Sequence, residues 1–259
     1  MVSAEHWSFM ATLARLSGEE IRRWFGKHDL GLELKADESP VTVADRNAEE
    51  IMRDAIMRTY PLHGILGEEF GNLNPDAEFV WVLDPIDGTK AFATACPLFG
   101  TLIGLLYEGR PVLGCIHQPI LGQLMIGDGS FTTLNDTVVR VRQTSSLNEA
   151  TVLLTDFHHA EKYGKHAAAH DQLLRDVRLV RTWGDCYGYL LLASGWADVC
   201  LDPIMNPWDV LPLVPIVRGA GGIITDWEGG SVDHTGANSS VAAVPGLHAE
   251  VIRRLNAPR

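Results

Sequence analysis

Apolar residues near the start of the chain recur at helical spacing. From Trp7 to Phe25, the positions Trp7, Met10, Ala14, Ile21 and Trp24 fall three, four or seven residues apart, which predicts a helix buried on one face. A second helix is predicted after Asp45, with Ile51, Met52, Ala55 and Ile56 on its inner side and Pro61 just beyond its end. Between the two, Lys35-Ala-Asp-Glu-Ser-Pro-Val-Thr42 reads as a turn-rich loop. The period then changes. Gly64–Gly67, Phe79–Leu83, Leu98–Tyr107 and Val112–His117 are short runs rich in β-branched and aromatic residues, with Glu108-Gly-Arg-Pro as the turn of a hairpin. Leu124–Gly127 and Thr137–Val141 extend the same meander.

Beyond about residue 145 the elements alternate. The pattern predicts strand Thr151–Thr155, helix His166–Asp176, strand Val177–Arg181, helix Cys186–Ser194 and strand Ala197–Leu201. A helix beginning near Asp209, strands Gly222–Asp226 and Ser240–Ala243, and a final helix Leu247–Leu255 complete the chain. There is no repeat and no low-complexity linker. The change of pattern divides the protein into an α+β half, residues 1–145, and an α/β half, residues 146–259, packed closely together.

Composition narrows the class. The 259 residues carry 33 Asp plus Glu against 21 Lys plus Arg, a formal charge of −12. At 46% hydrophobic the chain is too apolar for a disordered protein. The acid excess argues against nucleic-acid and anionic-membrane partners, which need a cationic field. An anionic substrate remains compatible, provided something else supplies positive charge. Cys96, Cys115, Cys186 and Cys200 are scattered without zinc-like spacing and read as reduced, buried residues. The N-terminus lacks the basic-then-apolar run of a signal peptide, and no apolar stretch is long enough to span a bilayer, so a cytoplasmic protein is expected.

The acids are not evenly spread. Gly67-Glu68-Glu69 follows one predicted strand, Asp84-Pro85-Ile86-Asp87-Gly88-Thr89 follows another, and Trp208-Asp209 opens a helix. Pro85 restricts the backbone and Gly88 permits a conformation that a side chain would forbid. Two carboxylates on a rigid turn repel unless protonated or bound to a cation, and oxygen donors without His or Cys favour Mg²⁺. Each piece has a plainer explanation: Asp84 and Asp87-Gly88 as turn formers, Asp209 as a helix N-cap. The combination is more specific than its parts.

Those motifs, in that order, with Trp81-Val-Leu preceding Asp84 and Gly219-Ala-Gly-Gly222 following Asp209, resemble the inositol monophosphatase superfamily over nearly the whole chain. The resemblance implies a layered α-β-α-β-α sandwich and a Mg²⁺-dependent, lithium-sensitive phosphatase with two or three ions per site. It implies Glu68, Asp84 and the Ile86 carbonyl as ligands of a first metal, Asp84, Asp87 and Asp209 of a second, and Glu69 for a third or its waters. It further implies that Asp45 pairs with Thr89 to activate water that attacks phosphorus directly, in line with the leaving alcohol, with Glu68 in the same catalytic group. The Gly88 and Thr89 N–H groups are expected to hold phosphate oxygens, and Lys35 matches a family lysine near the site, with a solvated loop charge as the alternative. A homodimer or larger homo-oligomer is implied, acting on a small phosphate ester without nucleic acid or membrane.

The second half bears on the substrate. Gly184-Asp185-Cys186-Tyr187, Pro97-Leu-Phe-Gly-Thr101 and Gly109-Arg-Pro-Val-Leu-Gly114 resemble the histidinol-phosphate phosphatase branch, which implies hydrolysis of L-histidinol phosphate in histidine biosynthesis. An ammonium and an imidazole gain from an unpaired carboxylate, and Asp185 and Asp202 are the candidates. Asp185 could equally cap the following helix, and Asp202 could be a loop residue before Pro203. Lys90 is shared with the 3′-phosphonucleotide branch, so a 3′-phosphoadenosine 5′-phosphate phosphatase and an inositol 1-phosphate phosphatase remain alternatives. A catalytically silent regulatory member is the alternative outside enzymes. Arg181, Trp183, Tyr187 and Tyr189 are aromatic-site or packing residues. His158, His159, His166 and His170 are expected on a solvated surface, the last two at the spacing of a facial metal pair.

Overall fold

The computed structural model describes residues 3–35, 40–156, 164, 166–233, 236 and 238–257. Helix α1, Ala4–Trp24, starts at a reciprocal cap: the Ser3 hydroxyl accepts the His6 N–H at 3.3 Å, and His6 Nδ1 accepts the Ser3 N–H at 3.2 Å. Short strands β1, Glu33–Leu34, and β2, Pro40–Val41, pair antiparallel, so the end of the predicted loop 35–42 is a strand; residues 36–39 lie outside the described residues. Helix α2, Val43–Thr59, begins before Asp45 and takes that acid into its first turn.

Then come β3, Gly64–Gly67, β4, Gly71–Leu73, and β5, Phe79–Asp87, followed by the short helix α3, Thr89–Ala93. Strands β6, Gly100–Tyr107, β7, Arg110–Gln118, β8, Gln123–Gly127, β9, Thr132–Leu134, and β10, Thr137–Val139, complete an eight-stranded sheet of order β10-β9-β8-β7-β6-β5-β3-β4. Only β3 and β5 pair parallel. Strands β4 and β9 are three residues each, too short for an alternation to register in sequence. The middle of the sheet, β5 and β6, is buried on both faces. Trp81 and Leu83 pack against Met10, Leu13, Met52 and Ile56 of the first two helices, while Val80 and Val82 face the opposite side. A strand covered twice must be apolar at every position, which explains the unbroken run Phe79-Val-Trp-Val-Leu83.

The remaining elements are β11, Thr151–Leu154, α4, Ala167–Asp176, β12, Leu179–Arg181, α5, Asp185–Ala193, β13, Val199–Asp202, α6, Pro207–Val210, and α7, Leu213–Gly219. Strands β14, Ile223–Thr225, and β15, Ser240–Ala243, and helix α8, Pro245–Leu255, close the chain. The five strands order as β12-β11-β13-β15-β14, parallel around β11 and antiparallel around β15. Helices α5, α6 and α7 lie between the two sheets, α1 and α2 cover the first, and α4 and α8 pack together with α8 on β15. The result is the expected α-β-α-β-α layering. Among the described residues no helix is long and apolar enough to cross a membrane, and all four cysteines are free.

Candidate active site

Asp84 and Asp87 lie within β5, not on a loop beyond it. Three residues apart on a regular strand, they would point to opposite faces. The pairing of β5 with β6 sets Asp84 against Leu102 and Asp87 against Gly100, so three steps on one strand oppose two on the other. That bulge turns both carboxylates to one side. The buried Thr101 hydroxyl donates to the Pro85 carbonyl at 2.9 Å, satisfying a group the bulge frees from the ladder. Gly88 then takes φ +88°, where an L side chain is strained, and leads into α3.

Two further carboxylates are placed by helix capping. Asp45 is the third residue of α2, and its Oδ2 accepts from the Thr42 N–H at 2.8 Å and the Thr42 hydroxyl at 2.5 Å. Its Oδ1 is left toward the Thr89 hydroxyl, 3.4 Å away; that hydroxyl also lies 3.0 Å from the Ile86 carbonyl. Asp209 is the third residue of α6, where Oδ2 accepts from the Asn206 N–H at 2.7 Å. Asp209 is therefore the reciprocating acid, and Asn206 the N-cap. In both cases the cap engages one oxygen and orients the other.

Glu68 and Glu69 share the Lys35 ammonium, at 2.8 and 2.6 Å. Lys35 is thus an ion-paired residue, not a solvated loop charge; its bonds to the two glutamates outweigh burial and raise its pKa above the ordinary lysine value. Sequence reasoning missed Glu49. Fully buried on α2, it accepts the Glu69 N–H at 2.7 Å, the Phe70 N–H at 3.2 Å and Arg53 Nη1 at 2.9 Å, and so anchors the turn that carries both glutamates. The signal was available: Asp45 and Glu49 are four residues apart on the face that also buries Ala44, Ala48 and Met52.

One carboxylate oxygen from each of Asp84, Asp87 and Asp209 lies within 4.8 Å of the other two. Burial, with repulsion from Glu68, Asp87 and Asp209, raises Asp84 well above the carboxylate range. Asp87 is raised by burial and by Asp185 and Asp209, despite accepting the Cys186 N–H. Asp84 Oδ1 is buried without a hydrogen-bond partner. An orphaned oxygen among crowded acids is the expected lining of a hard-cation site, and these donors fit Mg²⁺. The nearby Cys186 thiol is pushed well above its usual pKa by burial and the surrounding acids, and so stays neutral.

Burial raises Asp45 to about 6, and Glu69 and Asp209 to about 7. Unfolded carboxyls titrate near pH ~4. As pH climbs from about 4 through about 7, the unfolded chain releases protons that the folded metal-free chain retains, so folding stability falls over that window. A bound cation replaces those protons. The rise in Tm on adding saturating Mg²⁺ is therefore expected to grow by about 5 °C between pH 5 and pH 8, measured by scanning calorimetry. His117, which burial pushes down to about 4, biases stability the other way but equally with and without metal. A Mg²⁺ increment independent of pH would contradict the crowding of these acids.

Beside the acids lies a cavity of about 160 Å³, lined by Asp87, Lys90, Thr155, Asp185, Tyr189, Asp202 and Asp209 among others. It meets a wider cleft of about 490 Å³ bordered by Glu68, Gly88, Thr89, Lys90 and Asp185. Asp185 and Asp202 both reach this space. Asp185 is not an N-cap: Gly184 occupies that position, and Asp185 opens α5 with φ +49°. Asp202 is the last residue of β13 rather than a loop residue. Tyr189 lines the cavity, whereas Arg181 and the exposed Trp183 form a cation–π contact outside it, 5.9 Å from guanidinium to ring.

The histidines differ from expectation. His166 and His170 are buried, His166 against the Leu255 carbonyl and Glu228 and His170 stacked on Trp227, because α4 packs inward on α8. His158 and His159 lie outside the described residues.

The sequence profile of the inositol monophosphatase family matches residues 4–257. The chain belongs to that family. It is 45% identical over 234 residues to the bifunctional phosphatase IMPL2, chloroplastic, of Arabidopsis thaliana, covering 89% of this chain but 66% of the plant protein. It is 41% identical over 219 residues to a histidinol-phosphatase of Chlorobaculum parvum, covering 84% of each. A solved inositol monophosphatase from Zymomonas mobilis matches with a TM-score of 0.85 at 36% identity, over 98% of this chain and 99% of that one. The protein is accordingly a metal-dependent phosphoric monoester hydrolase of the inositol monophosphatase type. Within this phosphatase the acidic cluster belongs to strand β5 and helix α6.

Proposed function

We propose that this phosphatase hydrolyses L-histidinol phosphate to L-histidinol and phosphate. The observation that carries the reading is Asp185, turned onto the cavity wall by a left-handed backbone where Asp87, Asp202 and Asp209 also gather and Lys90 is the one cation in the lining. Lys90 is also the cation whose charge reaches Asp185, without a direct ion pair between them among the described residues. With Asp87 and Asp209 facing the metal site and Asp202 hydrogen-bonded within the protein, Asp185 is the acid left for substrate, and an alcohol bearing an ammonium and an imidazole gains from it more than a neutral polyol does. The names of the Chlorobaculum and Arabidopsis relatives support the same choice.

In this reading Asp84, Asp87 and Asp209, with Glu68 and the Ile86 carbonyl, would hold Mg²⁺, and Glu69 would hold a further ion or its waters. Mg²⁺ at these residues would supply neutralisation of phosphate charge, a more acidic attacking water and stabilisation of the departing alkoxide. The chain's own groups do the rest. The Gly88 and Thr89 N–H groups orient phosphate oxygens where the chain enters α3. The Thr89 hydroxyl takes the water's proton as it passes its own to Asp45 Oδ1. Lys35 steadies Glu68 and Glu69 in the same cleft.

The test is phosphate release from histidinol phosphate, inositol 1-phosphate and 3′-phosphoadenosine 5′-phosphate, with Mg²⁺ and after chelation. Histidinol phosphate is expected to lead in kcat/KM by about a hundredfold, and Asp185→Asn to raise its KM by about tenfold. Comparable kcat/KM on histidinol phosphate and inositol 1-phosphate would remove this substrate. Full activity after chelation would remove the metal chemistry.

A further inference from the structure

We propose that Asp202 is a positioning residue that acts through Thr155 to aim Asp185, and not itself a substrate ligand; this rests on Asp185 meeting the cationic end of the substrate. Both Asp202 oxygens are engaged within the protein. Oδ1 accepts the Thr155 hydroxyl at 2.7 Å and Oδ2 accepts the Tyr189 hydroxyl at 2.7 Å, and the residue is 5% exposed. Thr155 has a single hydroxyl proton, and Asp202 takes it. The Thr155 oxygen is thereby left to accept, and it receives the Asp185 N–H at 3.0 Å. Tyr189 stands one helical turn beyond Asp185 on α5, so Asp185, Thr155, Asp202 and Tyr189 close a ring that ties the first turn of the helix to the ends of β11 and β13.

The ring explains two local oddities. Asp185 adopts φ +49°, a conformation that a non-glycine residue holds only when its surroundings fix it. The residue before it must be glycine, since a Cβ at Gly184 would lie 2.5 Å from the Thr155 backbone and hydroxyl. The consequence is directional. A Cβ on Gly88 would come 3.1 Å from Asp185 Oδ2, so the carboxylate is aimed at the junction of the inner cavity and the phosphate-side cleft.

Thr155→Val breaks the link while keeping both acids. The ratio of kcat/KM for histidinol phosphate over glycerol 2-phosphate, an ester without a cationic group, is expected to fall about tenfold, mainly through KM. Thr155→Ser, which keeps the hydroxyl, should restore it. Hydrogen exchange at the Asp185 amide should quicken in Thr155→Val and in Asp202→Leu, which removes the acceptor for the Thr155 hydroxyl, a readout that needs no substrate. Asp202→Leu placed on Thr155→Val should add less than about twofold to KM, because both act through one contact. The proposal is overturned if Asp202→Leu raises KM equally in both backgrounds, or if Thr155→Val changes neither the ratio nor the amide exchange. If exchange quickens but Asp185→Asn leaves the ratio unchanged, the positioning stands and the cationic-substrate reading fails.

Discussion

Asp84→Asn is expected to lower kcat about a thousandfold and, in the same molecule, to raise the melting temperature of the metal-free protein. The two effects have one cause. Asp84 is buried against Glu68, Asp87 and Asp209, with one oxygen lacking any partner. Without a cation that arrangement is repulsive, and replacing the acid by a neutral amide of the same shape relieves it. A relief of about 1–2 kcal/mol corresponds to roughly 3–6 °C in a chain of this size. With substrate, the same substitution removes a charged ligand, and metal-ion stabilisation of a phosphoryl transition state is worth several kcal/mol. Calorimetry with and without Mg²⁺, beside steady-state phosphate release, separates the two. An Asp84→Asn protein with full kcat, or one less stable than wild type without metal, would contradict the site as described.

Thr89→Val should lower kcat by about a hundredfold with KM nearly unchanged, the scale of a lost proton-transfer group. Valine keeps the shape and discards the hydroxyl that lies between Asp45 Oδ1 and the Ile86 carbonyl. Asp45 remains anchored through its other oxygen to Thr42, so the fold of α2 is unaffected. Thr89→Ser should recover most of kcat, because the hydroxyl returns to the same backbone position. If Thr89→Val chiefly raises KM instead, the hydroxyl holds phosphate rather than moving a proton.

The parts of this site differ in how visible they are along the chain. Asp84-Pro-Ile-Asp-Gly-Thr89 is legible because its members are local: a proline, a glycine and two acids within one turn of backbone. The acids capping α2 and α6 were legible only as acids near helix starts: the pattern begins the first helix after Asp45 and reads Asp209 as an N-cap, whereas Thr42 and Asn206 hold the cap positions and the two acids reciprocate from three residues on. Glu49 was overlooked because an acid four residues along an amphipathic helix usually faces water, and only its burial under the Glu69 turn gives it a task. Lys35 meets Glu68 and Glu69 across more than thirty residues of sequence, a distance over which spacing carries no information.

Sequence alone determined the family-defining motifs, the oxygen-only chemistry of the acids and most helices and strands, because these follow from local conformational preference and burial periodicity. It also marked Asp185 and Asp202 together as acids near a substrate. Tertiary structure decided what periodicity cannot express. The bulge in β5 turns Asp84 and Asp87 to one face where regular alternation would part them. The inward packing of α4 buries His166 and His170, which sequence spacing had set on the surface. The ring through Thr155 and Tyr189 binds Asp202 internally and leaves Asp185 to face the cavity. Each depends on which layers meet, and that is set by the packing of distant segments rather than by any stretch of neighbouring residues.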